Sequence, residues 1–319
     1  MKAIVLKEYG NNLKLENIPR PIINDDEILV KVKNSGVNHV DAVEASGLIS
    51  AIFPIELPWI PGREFSGIIE ETGKNVKSFK AGDAVFGNSE LGAYAEYLAL
   101  KPEVIVLKPD NISFEEAASV PVASQTAWQG VFTHGGLAKG QTILIHGGAG
   151  AVGAYAVQFA HNAGAKVIAT ASSRDALFLQ SIGVDQVIDY RSKKFEDEIT
   201  EKVDVVFDLV GGDTQQRSYE VLKKGGRLVS TVQPVSKEEA TKHNVNALMM
   251  RLEPSTKKLD VISRLLEEKK VHPDVAKIYP LERAAEAWQD MSGNLSSNKG
   301  QQNIVLPKIS HGKLILKVA

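Results

Sequence analysis

The chain has no cysteine. Disulfides, thiolate metal centres and a cysteine nucleophile are therefore excluded. An excess of either charge is also missing: 37 Lys and Arg stand against 39 Asp and Glu, with a pI near 6.4. Nothing in that balance attracts a phosphate backbone or an acidic bilayer, so neither nucleic acid nor a membrane is an expected partner. No apolar segment reaches the roughly 20 residues that span a bilayer. The opening MKAIVLKEYG carries too much charge and too short an apolar run for a secretory signal, and a cytoplasmic location is expected. Low-complexity tracts, internal repeats and long linkers are absent. His134, His161, His243, His272 and His311 are scattered without metal-ligand spacing, so no metal site is expected. Aromatic residues are few, and Trp59, Trp128 and Trp288 read as packing residues.

What the chain does hold is TILIHGGAGAVG, Thr142 to Gly153. Ile143, Leu144 and Ile145 read as a short buried strand. Gly148, Gly150 and Gly153 then match G-x-G-x-x-G, with Ala149, Ala151 and Val152 between them. Tyr155 to Ala163 reads as an amphipathic helix and Lys166 to Ala171 as a second strand, which completes a βαβ unit of the right length. In that reading Gly148 permits the tight turn and Gly150 lets backbone approach a pyrophosphate. Gly153 lets the helix pack on the strand, and the helix N-terminus offers free N–H groups. A structural glycine turn in another α/β protein is the competing reading; the strand and helix on either side favour the nucleotide.

The second strand ends Ala169-Thr170-Ala171-Ser172-Ser173-Arg174, with no acid at its tip to bond a ribose 2′-hydroxyl. Asp175 comes later, at a helix start. Ser172 and Ser173 leave room for a 2′-phosphate, and Arg174 supplies charge to it. A charged hydrogen bond contributes about 1.5–3 kcal/mol, or one to two decades in affinity, so NADPH is expected over NADH. Ser172 and Ser173 also fit the N-cap of a helix over Asp175–Ser181; the two roles are compatible.

The 319 residues suit two ordinary domains. Up to about residue 120 the pattern is mostly β, with strands expected at Ala3–Leu6, Leu13–Asn17, Glu27–Asn34, Phe65–Thr72, Ala84–Gly87, Ala93–Ala99 and Val104–Leu107, closely punctuated by Gly and Pro. Such a pattern suggests a barrel or sandwich. Helical periods at Glu115–Val120 and Gln125–Thr133 follow. Strands then alternate with helices at Thr142–His146, Lys166–Ala171, Gln186–Asp189, Val203–Leu209, Gly226–Thr231 and Asn246–Arg251. The fold class is α/β: a doubly wound parallel sheet of order 3-2-1-4-5-6 in residues 121–255, beside a β domain of residues 1–120 completed by 256–319. Helices are expected near Thr256–Lys270 and Leu281–Met291. The late runs Asn303–Leu306 and Lys313–Val318 are expected to return to the N-terminal β domain.

Several segments carry a resemblance: GVNHVDAVEASG (36–47), PGREFSGIIEETGKNVKSFKAGDAVFG (61–87), GAYAEYLAL (92–100), SVPVASQTAW (119–128), GGAGAVG (147–153), IGVDQVIDY (182–190), DLVGG (208–212) and YPLERAAEAW (279–288). Through most of its length the chain resembles the medium-chain dehydrogenase/reductase superfamily, in its zinc-free quinone oxidoreductase and enone reductase branch. The resemblance implies a GroES-like β-barrel domain and a Rossmann domain with NADPH in the cleft between them. It implies hydride transfer to a quinone or an α,β-unsaturated carbonyl, and a homodimer paired through the sheet edge at Asn246–Arg251. Zinc-dependent members place a cysteine and a histidine as metal ligands where this chain has Asn38 and Arg63, neither of which suits zinc. The segment Gly293–Gly312 is longer and more polar than the usual link to the final GKLILKV strand.

By the same resemblance Asn38 lies on the substrate and nicotinamide side, with a turn-forming asparagine as the plainer role. Thr126 starts a helix packed on the nicotinamide, or serves as a cap or core residue. Tyr190 lies beside the 2′-phosphate, or is a half-buried strand-end tyrosine. Val210 and Gly211 sit at the carboxyl end of a central strand, where ligands bind in such sheets, or form a plain loop. His39 and Asp41 suit either a proton relay or structural bonds. His146 touches the cofactor edge or packs the turn. Lys193–Glu201 is a mixed charge run suited to a solvated face. No convincing general acid is present, which favours quinones or activated enones over plain ketones. A non-catalytic NADPH-binding sensor or structural protein, and an enoyl-thioester reductase, are the alternatives.

Overall fold

The computed structural model describes residues 1–10, 12–89, 92–292 and 311–319. In chain order the first elements are β1 (Lys2–Val5), β2 (Lys14–Asn17), β3 (Ile28–Gly36), α1 (His39–Ser46), β4 (Glu64–Thr72), β5 (Ala84–Asn88), β6 (Tyr97–Leu100), β7 (Ile105–Leu107), α2 (Phe114–Ala118) and α3 (Pro121–Trp128). There follow β8 (Thr142–His146), α4 (Ala151–Asn162), β9 (Lys166–Ala171), α5 (Ala176–Ser181), β10 (Gln186–Asp189), α6 (Phe195–Glu198), β11 (Val203–Asp208), α7 (Gly212–Ser218), β12 (Leu222–Ser230), α8 (Lys237–His243) and β13 (Asn246–Met249). The last are α9 (Thr256–Glu267), β14 (Val275–Pro280), α10 (Ala284–Ser292) and β15 (Lys313–Lys317). The chain divides into two compact units. One is Met1–Val122 with Pro254–Glu267 and Pro273–Ala319; the other is Ala123–Glu253 with Glu268–His272. Among the described residues no helix is long and apolar enough to cross a membrane.

The second unit holds a six-stranded sheet of order β10-β9-β8-β11-β12-β13, every pairing parallel. This is the 3-2-1-4-5-6 order expected from the alternation. Its central strands are apolar almost throughout because both faces of such a sheet are covered. Ile143 to His146 of β8 are all buried, and so are Val167 to Ala171 of β9. Leu144, Ile168, Val206, Leu228 and Tyr219 form the core beneath it. The winding reverses between β8 and β11, so the ends of these two neighbours make the switch point where ligands bind in open α/β sheets.

The first unit is built on β3. One side of β3 pairs with β4, which leads on to β5 and β7; the other is shared between β6, against Ile28–Lys31, and β15, against Asn34–Gly36. The run Lys313–Lys317 thus returns to the N-terminal strands, as expected. The run Asn303–Leu306 lies outside the described residues. Trp59, Tyr94, Tyr279 and Trp288 anchor one core, and the Trp288 indole N–H donates to the Tyr94 hydroxyl over 3.1 Å. Val30, Val32, Phe65 and Val85 belong to another.

Three elements differ from the sequence reading. In the Ala93–Ala99 run only Tyr97 onward joins the ladder, because Tyr94 and Ala95 pair with β1 instead. Strand β14 is unanticipated. It is an edge strand, and Lys277, Ile278 and Pro280 are exposed, so apolar alternation is weak. Helix α1 is also unanticipated: its inward face carries Asp41 and Glu44 beside Ala42 and Ala45, which inverts the usual amphipathic pattern.

Candidate functional site

The glycine turn joins β8 to α4 at the switch point. The left-handed conformation falls on Gly147, at φ 75°, the residue before the motif's first glycine. Gly148 is required for another reason: a Cβ there would lie 2.7 Å from the Ala169 Cβ on β9. Gly150 is the N-cap of α4 and makes no side-chain cap. A Cβ on Gly150 would meet nothing closer than the Gly147 carbonyl at 3.4 Å, so this face is open. Gly153 lies one turn into α4, where a Cβ would come 2.2 Å from that same carbonyl. Ala149, Ala151 and Val152 complete the turn. The first backbone N–H groups of an uncapped helix have no intrahelical acceptor, and an anion over the open glycine would satisfy them.

Ser172, Ser173 and Arg174 gather at the tip of β9. Ser172 stands before a short 3₁₀ turn, Ser173–Asp175, yet its side chain caps nothing. Its hydroxyl is buried without a hydrogen-bond partner. Arg174 is loosely held, 3.7 Å from Asp175, with its side chain 45% exposed. Tyr190, just past β10, donates its backbone N–H to the Ala171 carbonyl over 3.2 Å, which brings it beside this tip. Asp189 is the neighbouring acid; the Arg191 backbone N–H and the Ser173 hydroxyl hold its carboxyl below the usual range. An open glycine face and an orphaned buried hydroxyl are what a phosphorylated dinucleotide would fill, so the residues fit such a group.

At the end of β11, Asp208 is fully buried and organises the DLVGG loop. One carboxylate oxygen accepts from the backbone N–H groups of Val210 (3.0 Å) and Gly211 (2.8 Å); the other accepts from Ser230 (2.8 Å) and Gln215 (3.1 Å). Val210 and Gly211 are thereby brought next to the glycine turn, with the Val210 side chain 3.4 Å from where a Gly147 Cβ would be. Sequence reading missed Asp208, although the acid at the end of a buried strand was the available signal. His146 proves to be core: its ring lies 3.1 Å from the Thr170 hydroxyl and 3.0 Å from Ser218. Ser218 donates its proton to the Thr214 carbonyl, so it accepts from His146 Nε2–H, and Nδ1 accepts from Thr170. Burial lowers the imidazole pKa to about 4, so the ring is neutral. Thr126 is buried on α3.

The first unit carries a second cluster. Asn38 precedes α1 but does not cap it. Its side-chain amide instead donates to Glu64 Oε1 over 3.0 Å and accepts from Lys313 Nζ over 2.5 Å. Lys313 also pairs with Glu64 Oε1 at 2.7 Å, while Glu64 Oε2 accepts from the Val122 N–H at 2.7 Å. All three side chains are buried. Gly36 makes room for them, since a Cβ there would lie 2.2 Å from Glu64 Oε1. Sequence reading named Asn38 alone. Glu64 and Lys313 stood in the PGREFSG and GKLILKV segments without a role.

Arg63 bonds Glu44 through Nη2 and lies 3.4 Å from Asp41 through Nε. His39 opens α1, where burial and then the Lys313 charge lower its imidazole pKa, and Asp41, two residues on, is fully buried against Arg63. Burial raises the Asp41 carboxyl to about 7; Arg63 and Lys313 oppose this, and Glu44 and Glu64 add to it. A carboxyl whose folded pKa exceeds its unfolded value holds a proton in the fold. Its contribution is complete below about pH 4 and is lost as pH rises through 7. Replacing Asp41 by Asn is therefore expected to raise Tm relative to the parent by an amount that grows from acid to neutral pH. Melts between about pH 5 and pH 8 check this; a difference that does not vary with pH contradicts it.

A parallel sheet with a glycine turn at its switch point, joined in one chain to a β-rich unit with a buried polar cluster, defines a dinucleotide-dependent dehydrogenase or reductase. Residues 24–110 match the alcohol dehydrogenase GroES-like domain family, and residues 182–296 match the zinc-binding dehydrogenase family. The chain is 39% identical to 2-methylene-furan-3-one reductase of Solanum lycopersicum over 72% of its length, and spans 61% of that protein. It is 35% identical to the chloroplastic NADPH-dependent alkenal/one oxidoreductase of Arabidopsis thaliana, over 94% of this chain and 78% of that one. The crystal structure of Escherichia coli quinone oxidoreductase complexed with NADPH matches with a TM-score of 0.87 at 27% identity, over 99% of this chain and 100% of that one. The chain belongs to the medium-chain dehydrogenase/reductase superfamily, in its zinc-free quinone oxidoreductase and enone reductase branch. Its two units are a GroES-like domain and a Rossmann domain.

Proposed function

We propose that this chain is an NADPH-dependent, metal-free reductase of quinones and α,β-unsaturated carbonyls. The observation that carries the reading is the β9 tip: an orphaned, buried Ser172 hydroxyl next to an exposed Arg174, with no acid in the Ala169–Arg174 run. The similarity to proteins named as an alkenal/one oxidoreductase and a quinone oxidoreductase supports the acceptor class.

When bound, NADPH supplies a hydride to the ring or β-carbon of the acceptor. The chain's own residues do the rest. Gly150 and the first turn of α4 take the pyrophosphate, with Gly148, Ala149, Ala151, Val152 and Gly153 shaping the turn. Ser172, Ser173, Arg174 and Tyr190 receive the 2′-phosphate. Thr126, Val210 and Gly211 line the nicotinamide side. As hydride arrives, negative charge grows on the acceptor oxygen, and the Asn38 amide donates a hydrogen bond to it. A quinone or enone makes modest demands on that donor, because conjugation spreads the charge. Arg63 supports metal-free chemistry, since its guanidinium already pairs with the Glu44 carboxylate and lies against Asp41. We further propose a cytoplasmic homodimer joined along β13, one of the two edge strands of the parallel sheet, because an uncovered edge is a site of unwanted pairing.

The test is loss of nicotinamide absorbance when NADPH is mixed with the protein and a panel of quinones and enals. No loss with any acceptor defeats the reading. In the same assay Arg174→Ala is expected to weaken NADPH about tenfold or more, from the charged hydrogen bond it removes, while NADH changes little. Equal loss for both removes Arg174 from the phosphate.

A further inference from the structure

Asn38 is not held as a helix cap or a turn residue. It is clamped between two buried charges of opposite sign. Lys313 Nζ approaches the amide oxygen to 2.5 Å, and Glu64 Oε1 takes an amide proton at 3.0 Å. A flipped amide would set its NH₂ against the ammonium and its oxygen against the carboxylate. Both contacts would be repulsive, so the rotamer has one chemical solution. The clamp is built from distant parts of the chain: Asn38 follows β3, Glu64 opens β4 and Lys313 opens β15. The lysine and glutamate side chains are 7% and 0% exposed, so their pull on the amide is little screened by water.

One amide proton is spent on Glu64. The other has no acceptor among the described residues. An ammonium on the amide oxygen draws electrons from nitrogen, which makes that remaining N–H a stronger donor. Lys313 would otherwise be a costly residue to bury. A neutral side chain could fill the space, and a glutamine at position 64 would keep an acceptor for only one of the two donors, Asn38 or the Val122 N–H.

We propose that Lys313 is a positioning residue for the reduction: its buried ammonium, itself held by Glu64, orients and polarises the Asn38 amide so that the free N–H meets the acceptor oxygen. This rests on the proposed reductase reading, in which Asn38 is the donor. Lys313 acts through Asn38 and touches neither substrate nor cofactor.

The experiment is a double-mutant cycle on Asn38→Ala and Lys313→Met in the full chain, with steady-state turnover and NADPH affinity measured separately. Lys313→Met is expected to lower kcat by about ten- to a hundredfold while the NADPH Kd stays within about twofold. Asn38→Ala is expected to lose a similar factor, and the double variant no more than Asn38→Ala alone, because both remove one unit. Lys313→Gln, which keeps a donor toward Asn38 but not the charge, should recover part of the loss. Lys313→Met leaves the Glu64 carboxylate buried and unpaired, so Glu64→Gln with Lys313→Met is the companion that removes both charges; it should fold and show the same low kcat.

Wild-type kcat in either folded variant overturns the proposal. Losses that multiply in the cycle also overturn it, since Lys313 would then act apart from Asn38. If Asn38→Ala loses activity and the Lys313 variants do not, this inference alone fails. If the parent turns over no acceptor, the reductase reading itself has failed.

Discussion

Gly153→Ala is expected to abolish tight dinucleotide binding. In most helices this change is favourable, by about 1 kcal/mol. Here the new Cβ would lie 2.2 Å from the Gly147 carbonyl oxygen and 2.8 Å from backbone atoms of Gly148. Every obstacle is main chain, so no side chain can swing aside. Nor can the turn retreat. Gly147 is in the left-handed region, Gly148 bonds the Thr170 carbonyl through its N–H, and the Gly148 Cα packs on Ala169. Helix α4 must therefore shift off the turn, carrying with it the N–H groups proposed to meet the pyrophosphate. Overpacking of this kind costs about 1–3 kcal/mol and so cancels or exceeds the gain in helix propensity. The displaced donors are expected to lower NADPH affinity about a hundredfold, or about 3 kcal/mol. Calorimetry with NADPH and a thermal melt check both. A variant with higher Tm and unchanged affinity would show that the turn is not the binding surface.

Asp208→Ala should be the most destabilising single change in the Rossmann domain. The carboxylate has no exposure and accepts four hydrogen bonds, two from the backbone of its own loop and two from Ser230 and Gln215. Alanine leaves those donors buried without an acceptor, at about 1–3 kcal/mol each when taken singly. Some recover, because Gln215 already lies 3.4 Å from the Gln233 carbonyl. A net loss of about 3–5 kcal/mol is expected, a Tm fall of about 10 °C or more. Asp208→Asn keeps one acceptor for the two loop N–H groups and should lose less than half as much. If the two variants melt alike, the loop bonds are not what the carboxylate provides. Gly211 sits at φ 77°, ψ −160° in that loop, and its place beside the glycine turn depends on Asp208, so NADPH affinity should fall in step with stability.

How much could be read without coordinates differs sharply between the two halves. Strands β8, β9 and β10 begin and end where the pattern of Thr142–His146, Lys166–Ala171 and Gln186–Asp189 places them. A central parallel strand is buried on both faces, and burial on both faces can be met only by a continuous apolar run with turn residues at each end. Strand β14 was invisible because an edge strand has one bonded side and little burial to impose a pattern. Helix α1 was invisible because its buried face carries carboxylates, whose partner Arg63 is 19 residues from Glu44 along the chain. Similarly, the motif located the glycine turn but did not mark Gly147, the residue before it, as the left-handed one. Which glycine bends and which merely makes room depends on the strand beside it, and Ala169 is more than twenty positions away.

The order of residues alone therefore settled the parallel sheet, the glycine turn at its switch point and the absence of acid at the β9 tip. Each of these is local, governed by φ/ψ preference and by the burial of neighbouring side chains. The placement of Lys313 and Glu64 around Asn38 was decided only on folding, across separations of 275 and 26 residues. No periodicity records such a contact. A buried ion pair is set by the Coulomb attraction and desolvation of groups that meet in space, and that energy depends on distance through the fold rather than distance along the chain.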